Sequence, residues 1–265
     1  MPVSRTATAE THYEDRGSGP VLLLVHGHPF DRTMWEPQLD RFSRTHRVVA
    51  PDLRGYGLSP LGASPGSTGL DVFAEDLAAL LDHLGVEDCV LAGLSMGGQI
   101  AMEFHRRHPG RVRGLVLADT FPAAETEEGK EARNAMADRL LAEGMRGYAD
   151  EVLDRMVAPY NTHAAPHVHR MMCATDPVAA AAALRGRAER PDYRASLAAA
   201  TVPALVVVGR DDTYTPVSDA EETHALIPGS ALVVVERAAH LPNLERPEEF
   251  DAALEAFLRS LERTA

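Results

Sequence analysis

Short, unbroken apolar runs alternate along this chain with stretches whose apolar residues recur every three or four positions. Val21–Val25, Val48–Ala50, Cys89–Ala92, Leu115–Ala118, Pro203–Val208 and Ala231–Val235 are the unbroken runs. Such runs, bounded by turn residues, predict strands covered on both faces. A more polar stretch, about Thr8 to Asp15, predicts an edge strand ahead of a turn at Gly17–Pro20. Helical spacing appears from Leu70 to Leu84, through Phe73, Leu77 and Leu81. It recurs from Gln99 to His108, where Pro109-Gly110 ends it, and from about Pro247 to Leu261. Asp31 fits the N-cap of a further helix through Trp35 and Leu39. Strand alternating with helix argues for an α/β fold, a mostly parallel central sheet flanked by helices on both faces.

The rhythm breaks after Asp119. From about Phe121 to Ala200 no strand pattern occurs, and Ala, Glu, Met, Arg and Leu dominate between scattered prolines. Several short helices are predicted there, forming a helical cap, or lid, over the catalytic edge of the sheet. The expected organisation is a core domain in two parts, 1–120 and 201–265, with the cap at 121–200. A chain of 265 residues suits one α/β domain carrying such an insertion.

Composition narrows the function classes. Hydrophobic residues make up 45% of the chain, enough for a core. The net charge of −13, with no basic cluster, argues against a nucleic-acid partner. The two cysteines, Cys89 and Cys173, are far apart and suggest neither a disulfide framework nor a zinc site. The N-terminal residues lack an apolar signal core, and no run reaches membrane-spanning length. The expectation is a soluble, cytoplasmic protein with no membrane partner. Oligomeric state leaves no mark in the sequence.

The chemistry centres on Gly93-Leu94-Ser95-Met96-Gly97-Gly98, a G-x-S-x-G pattern between a predicted strand and a predicted helix. That setting marks a nucleophile elbow, with the serine hydroxyl exposed on a sharp turn. Gly93 and Gly97 would remove Cβ atoms where chain segments crowd. A serine needs a base to take its proton, and the base needs a carboxylate to orient it. In such a fold the order is Ser, then Asp or Glu, then His, each on a loop after a strand. The loop after Val206–Val208 carries Asp211 and Asp212, and the loop after Val233–Val235 carries His240.

These pieces, together with His26-Gly27-His28-Pro29, Asp52-x-Arg54-Gly55-x-Gly57-x-Ser59, Gly209-x-x-Asp212-x-x-x-Pro216 and Ala239-His240-Leu241-Pro242-Asn243-Leu244-Glu245-Arg246-Pro247, resemble the α/β-hydrolase superfamily over nearly the whole chain. Within it the chain looks most like the 3-oxoadipate enol-lactonases and the cofactor-free haloperoxidase or esterase relatives. The resemblance implies the α/β-hydrolase fold with its lid inserted after the sixth strand. It implies Ser95 as nucleophile, His240 as general base and Asp212 as the acid, ahead of the adjacent Asp211. It implies an oxyanion hole made by the backbone N–H groups of His28 and Met96. Serine at the elbow, where dehalogenase and epoxide-hydrolase relatives place aspartate, points to acyl transfer on a small ester or lactone. No metal and no organic cofactor are implied. Pro29 matches relatives that also perform perhydrolysis, so that side activity is expected.

Other residues carry less. His26 reads as a structural hydrogen-bonder beneath the oxyanion loop, and Asp52 and Arg54 as loop-fixing residues. The His28 imidazole either lines the pocket or is simply exposed. His163, His167 and His169 read as lid packing or pocket lining rather than metal ligands. Arg185 and Arg187 read as a solvated helix face, with binding of a substrate carboxylate as the alternative. Asp119 and Thr120 follow a strand and fall near the site. A small-molecule receptor with slow hydrolysis, or a C–C bond hydrolase using the same three residues, are the alternative functions.

Overall fold

Every apolar run becomes a strand, and all but the last, in which Ala231 is exposed and Leu232, Val233 and Val234 are half-buried, find cover on both faces. The computed structural model describes residues 2–7, 9–63 and 66–262. Thr8, at the predicted start of the first strand, and Ser64 and Pro65 of the glycine-rich loop lie outside the described residues. The strands are β1 (Val3–Arg5), β2 (Glu10–Arg16), β3 (Val21–Val25), β4 (Arg47–Pro51), β5 (Cys89–Leu94), β6 (Val112–Ala118), β7 (Ala204–Gly209) and β8 (Ala231–Val235). They form one sheet in the order β1-β2-β4-β3-β5-β6-β7-β8. The β1–β2 and β2–β4 pairs are antiparallel, and all the others are parallel.

The helices are α1 (Glu36–Phe42), α2 (Leu70–His83), α3 (Met96–Arg107), α4 (Glu127–Glu143), α5 (Met145–Met156), α6 (Ala165–Ala174), α7 (Pro177–Ala188), α8 (Arg194–Ala198), α9 (Val217–Leu226), α10 (Pro242–Glu245) and α11 (Pro247–Glu262). Alternate residues of each strand serve opposite layers, as the two-residue strand period requires. Leu22, Leu24, Val90 and Ala92 pack with Leu39 of α1 and Phe250 and Leu254 of α11. Leu23, Val25 and Leu91 pack with Phe73 and Leu77 of α2 and Ile100 and Phe104 of α3. This is the α/β-hydrolase fold, with its helical insertion following the sixth strand.

Three local elements differ from the sequence reading. β2 is not the sheet edge, because the three-residue β1 pairs outside it through Val3–His12, Ser4–Thr11 and Arg5–Glu10. β1 is too short to carry a period. Helix α9 also left no signal, since Ala220 and Thr223 are its fully buried side chains. The four-residue α10 is a single turn inside the predicted histidine loop.

Five helices, α4 to α8, occupy the segment between β6 and β7. The alanine run Ala179–Ala183 is fully buried, and its small side chains let α7 lie close against Ala137 and Leu140 of α4. Helix α7 also docks on the loop before α2. Thr68 N–H donates to the Ala182 carbonyl at 2.9 Å, and a Cβ on Gly186 would meet the Thr68 carbonyl oxygen at 1.7 Å.

Candidate active site

Parallel strands bring their carboxyl ends to one edge, and the loops after β3, β5, β6, β7 and β8 meet there. Strand order reverses around β3, whose neighbours β4 and β5 follow it on opposite sides. The loops after β3 and β5 therefore part and leave a crevice, as at other switch points of α/β sheets. Ser95 stands at the mouth of that crevice between β5 and α3, with φ 56° and ψ −117°. A serine at positive φ is strained and must be held by its surroundings. Its N–H donates to the Ala118 carbonyl at 2.9 Å, and Thr120 Oγ1 donates to its carbonyl at 2.8 Å. A Cβ on Gly93 would lie 2.1 Å from the Gly97 carbonyl oxygen, and one on Gly97 would lie 2.2 Å from the Val25 carbonyl oxygen. Both glycines are required by contact with backbone that cannot give way. Met96 opens α3, so its N–H is among the four without an intrahelical acceptor.

His240 follows β8 and is buried, with Nδ1 2.8 Å from Asp212 Oδ2. The Tyr214 N–H donates to Asp212 Oδ1 at 2.7 Å, so each oxygen of this buried carboxylate has a donor. A carboxylate partner makes Nδ1 the protonated nitrogen and leaves Nε2 as the basic one. Asp211, one residue earlier, is exposed and accepts from the Tyr160 hydroxyl instead. Ser95, His240, His28, Gln99, Asp119 and Arg187 share the lining of one cavity of about 120 Å³. The loop carrying His240 is held by Glu245. Glu245 Oε1 accepts from the Ala239 and Leu241 N–H groups at 2.9 and 3.2 Å, and Oε2 from Ala158 N–H and Asn161 Nδ2, both at 2.8 Å.

The histidines of the loop after β3 have separate uses. His26 is fully buried; Leu53 N–H donates to its Nε2 at 2.9 Å, and its Nδ1 donates to the Gly27 carbonyl at 2.9 Å. That pair of bonds needs the neutral ring, and burial pushes its pKa down accordingly. His28 does line the cavity, with Nδ1 2.7 Å from the Tyr56 hydroxyl. Burial, then the charges of Arg187 and Arg133, hold it well below the usual histidine range, so this imidazole is neutral. Asp52 fixes its loop, accepting from the N–H groups of Arg32 and Leu58 at 2.9 and 2.8 Å, and Arg54 pairs with Asp76 at 2.6 Å. Trp35 is core.

Among known proteins, the family described as "Alpha/beta hydrolase family" matches residues 22–253. The chain belongs to that family. An esterase from Thermogutta terrifontis, solved with malate bound, superposes on this α/β hydrolase with a TM-score of 0.93 at 38% identity, over 98% of this chain and 97% of that one. The enol-lactonase from Burkholderia xenovorans gives a TM-score of 0.89 at 27% identity, over 97% of this chain and 100% of that one. The curated 3-oxoadipate enol-lactonase 1 of Acinetobacter baylyi is 28% identical over 92% of this chain and 91% of its own length. No helix among the described residues is long and apolar enough to cross a membrane.

One residue of this α/β hydrolase differs in place from what the sequence suggested. Arg187 is not on a solvated face. It is 8% exposed, lines the cavity, and donates from Nε to Gln99 Oε1 at 3.0 Å. Arg185, two residues earlier, does face outward and pairs with Asp138 at 2.6 Å. Their i, i+2 spacing puts them on different sides of α7, which periodicity alone could not assign because α7 is apolar nearly all round. Asp119 falls where the sequence suggested, near the site. It lies in the site itself, with ligand-type atoms of Asp119, Asp212 and His240 all within 4.8 Å of one another. Its Oδ1 accepts from Gly209 N–H at 2.9 Å, and its Oδ2 is buried. Burial, then the Asp212 carboxylate, push the Asp119 carboxyl well above the usual range. Its place after a strand was the one sequence signal. The three insertion histidines stay out of the cavity. His163 meets the Leu244 carbonyl, His167 the Thr33 carbonyl and His169 the Asp150 carboxylate, at 3.2, 3.2 and 2.6 Å.

Proposed function

We propose that this α/β hydrolase cleaves a small ester or lactone through an acyl-enzyme formed on Ser95. The observation that carries the reading is the buried His240–Asp212 pair opening onto the same cavity as a strained Ser95. The enol-lactonase and esterase relatives support the substrate class. Ser95 Oγ attacks the carbonyl carbon as His240 Nε2 takes its proton, and Asp212 orients the ring and stabilises the imidazolium. The oxyanion faces the backbone N–H groups of Met96 and His28, each worth about 3–4 kcal/mol of barrier lowering. His240 returns the proton to the leaving oxygen, which departs as alcohol or, from a lactone, stays tethered. Water then attacks the acyl carbon, losing its proton to His240, and the acid leaves as Ser95 regains that proton. The steps use the chain's own groups and water. Residues 121–200 act as the lid on a core made by 1–120 and 201–265, closing the cavity so that these charges act away from bulk solvent.

The test is proton release by purified protein on a panel of lactones and graded-chain esters, with Ser95→Ala and His240→Ala alongside. Turnover that both substitutions abolish while the folded spectrum persists supports the mechanism. Undiminished turnover by Ser95→Ala overturns it.

A further inference from the structure

The cavity holds a buried positive charge that the chemistry above does not use. Arg187 closes the last turn of α7, and its guanidinium donates to the neutral amide of Gln99. The titratable groups that act on it are two further guanidiniums, Arg133 and Arg190, and the neutral hydroxyls of Tyr56 and Tyr148. No carboxylate among the described residues stands in that set. The acid of the group, Glu125, is already shared, pairing with both Arg133 and Arg190. Burial pushes Glu125 up, but hydrogen bonds from Arg190 and Arg133 outweigh it and bring its pKa to about 2. Three guanidiniums, those of Arg133, Arg187 and Arg190, are thus set against one carboxylate, and two of them, Arg133 and Arg187, line the cavity. Asp119 is a carboxyl on the cavity wall, and it stands beside His240.

A guanidinium stays charged in a protein. Burying one without an anion is costly, and a fold tolerates it where something else supplies the anion. We infer that Arg187, assisted by Arg133, is the subsite for a carboxylate carried by the substrate, so that the preferred ester or lactone is a monoanion. The inference rests on the hydrolase reading of the same cavity. A planar guanidinium receives a carboxylate through two parallel N–H bonds, which fixes the substrate's orientation as well as its charge. Spacing sets the size. Gln99 stands one turn beyond Ser95 on α3, roughly 6 Å along the helix, so the carboxylate and the scissile carbonyl are separated by a few carbons. The cavity of about 120 Å³ accepts on the order of ten non-hydrogen atoms, taking about 12 Å³ per water-sized site. The methyl hemiesters of four- to six-carbon dicarboxylic acids have that size and charge. A neutral ester of equal length would leave Arg187 desolvated and unpaired, which is the arrangement that gives a site strong discrimination.

The experiment compares kcat/KM for methyl hydrogen succinate, glutarate and adipate with that for methyl butanoate, pentanoate and hexanoate. The best hemiester should exceed its neutral partner by about 100-fold or more. Arg187→Gln, and more weakly Arg133→Gln, should bring that ratio toward one. Neutral esters turned over as well as hemiesters would overturn the anion subsite and leave the hydrolase reading standing. Silence on both series would count against the hydrolase reading, and the subsite is then read without turnover. Calorimetry on the unmodified protein and on Ser95→Ala should detect glutarate binding, and no binding to glutarate, while butanol or pentanoate methyl ester does bind, overturns it.

Discussion

Replacing Glu245 by glutamine should unfasten the loop that carries His240. The Glu245 carboxylate is 2% exposed and accepts four hydrogen bonds, two on each oxygen. Those on Oε1 come from the residues on either side of His240, and those on Oε2 from the chain between α5 and α6. Glutamine keeps one oxygen and replaces the other by an NH2 group. Whichever way the amide turns, that NH2 faces two N–H donors, so two bonds are lost and hydrogens meet hydrogens. A hydrogen bond to a charged group contributes about 1.5–3 kcal/mol, which puts the gross loss near 3–6 kcal/mol. Removing a buried charge returns part of this, so the net destabilisation should be about 3 kcal/mol. For a chain of this size that lowers Tm by about 6–12 °C. Urea denaturation and a thermal melt measure it, with the neighbouring Arg246→Ala as control, since Arg246 pairs with Glu249 on the surface and should cost under about 0.5 kcal/mol. Because Glu245 touches no substrate, its loss should lower kcat through misplacement of His240 more than it raises KM. Stability of Glu245→Gln within 0.5 kcal/mol of the parent, on the order of a surface change, would refute the reasoning.

The two neighbouring aspartates should separate cleanly in kinetics. Asp212→Asn, which leaves His240 Nδ1 without its carboxylate, should lower kcat by about ten-thousand-fold, whereas Asp211→Asn should change it by less than about threefold; the reverse pattern would move the acid to Asp211. Asp119 makes a prediction about pH. Its carboxyl is pushed up in the folded protein by burial and then by Asp212, so the folded state binds that proton more tightly than the unfolded chain does. Stability contributed there is present at low pH and falls as pH rises from about 4 toward the raised folded value. Asn can keep the Gly209 N–H bond and offer Asp212 a donor. Asp119→Asn should therefore gain stability relative to the parent as the pH rises above about 4, and parallel denaturation curves at rising pH would refute the shift.

The sheet and two of the three proposed reacting side chains, Ser95 and His240, were legible in one dimension because their causes are local. An unbroken apolar run such as Val21–Val25 needs two covering layers, and that need is written in its own five residues. Gly93 and Gly97 mark the elbow because backbone crowding there admits no Cβ. The tertiary structure alone decided which polar groups face one another. Asp212 and Asp211 are adjacent and chemically alike, and only the packing of two loops gives one to His240 and the other to Tyr160. Asp119 lies 93 residues before Asp212, and the two meet because β6 and β7 are parallel neighbours ending at the same edge. Arg187 looked like surface because a charged residue near a helix end usually is. Its burial follows from the close approach of α7 to Thr68, where Gly186 and the alanine run leave no room for anything but backbone contact. Periodicity reports how one segment divides between core and solvent; it carries no record of which distant segment supplies the core, and so it places strands and helices but not the charge inside the cavity.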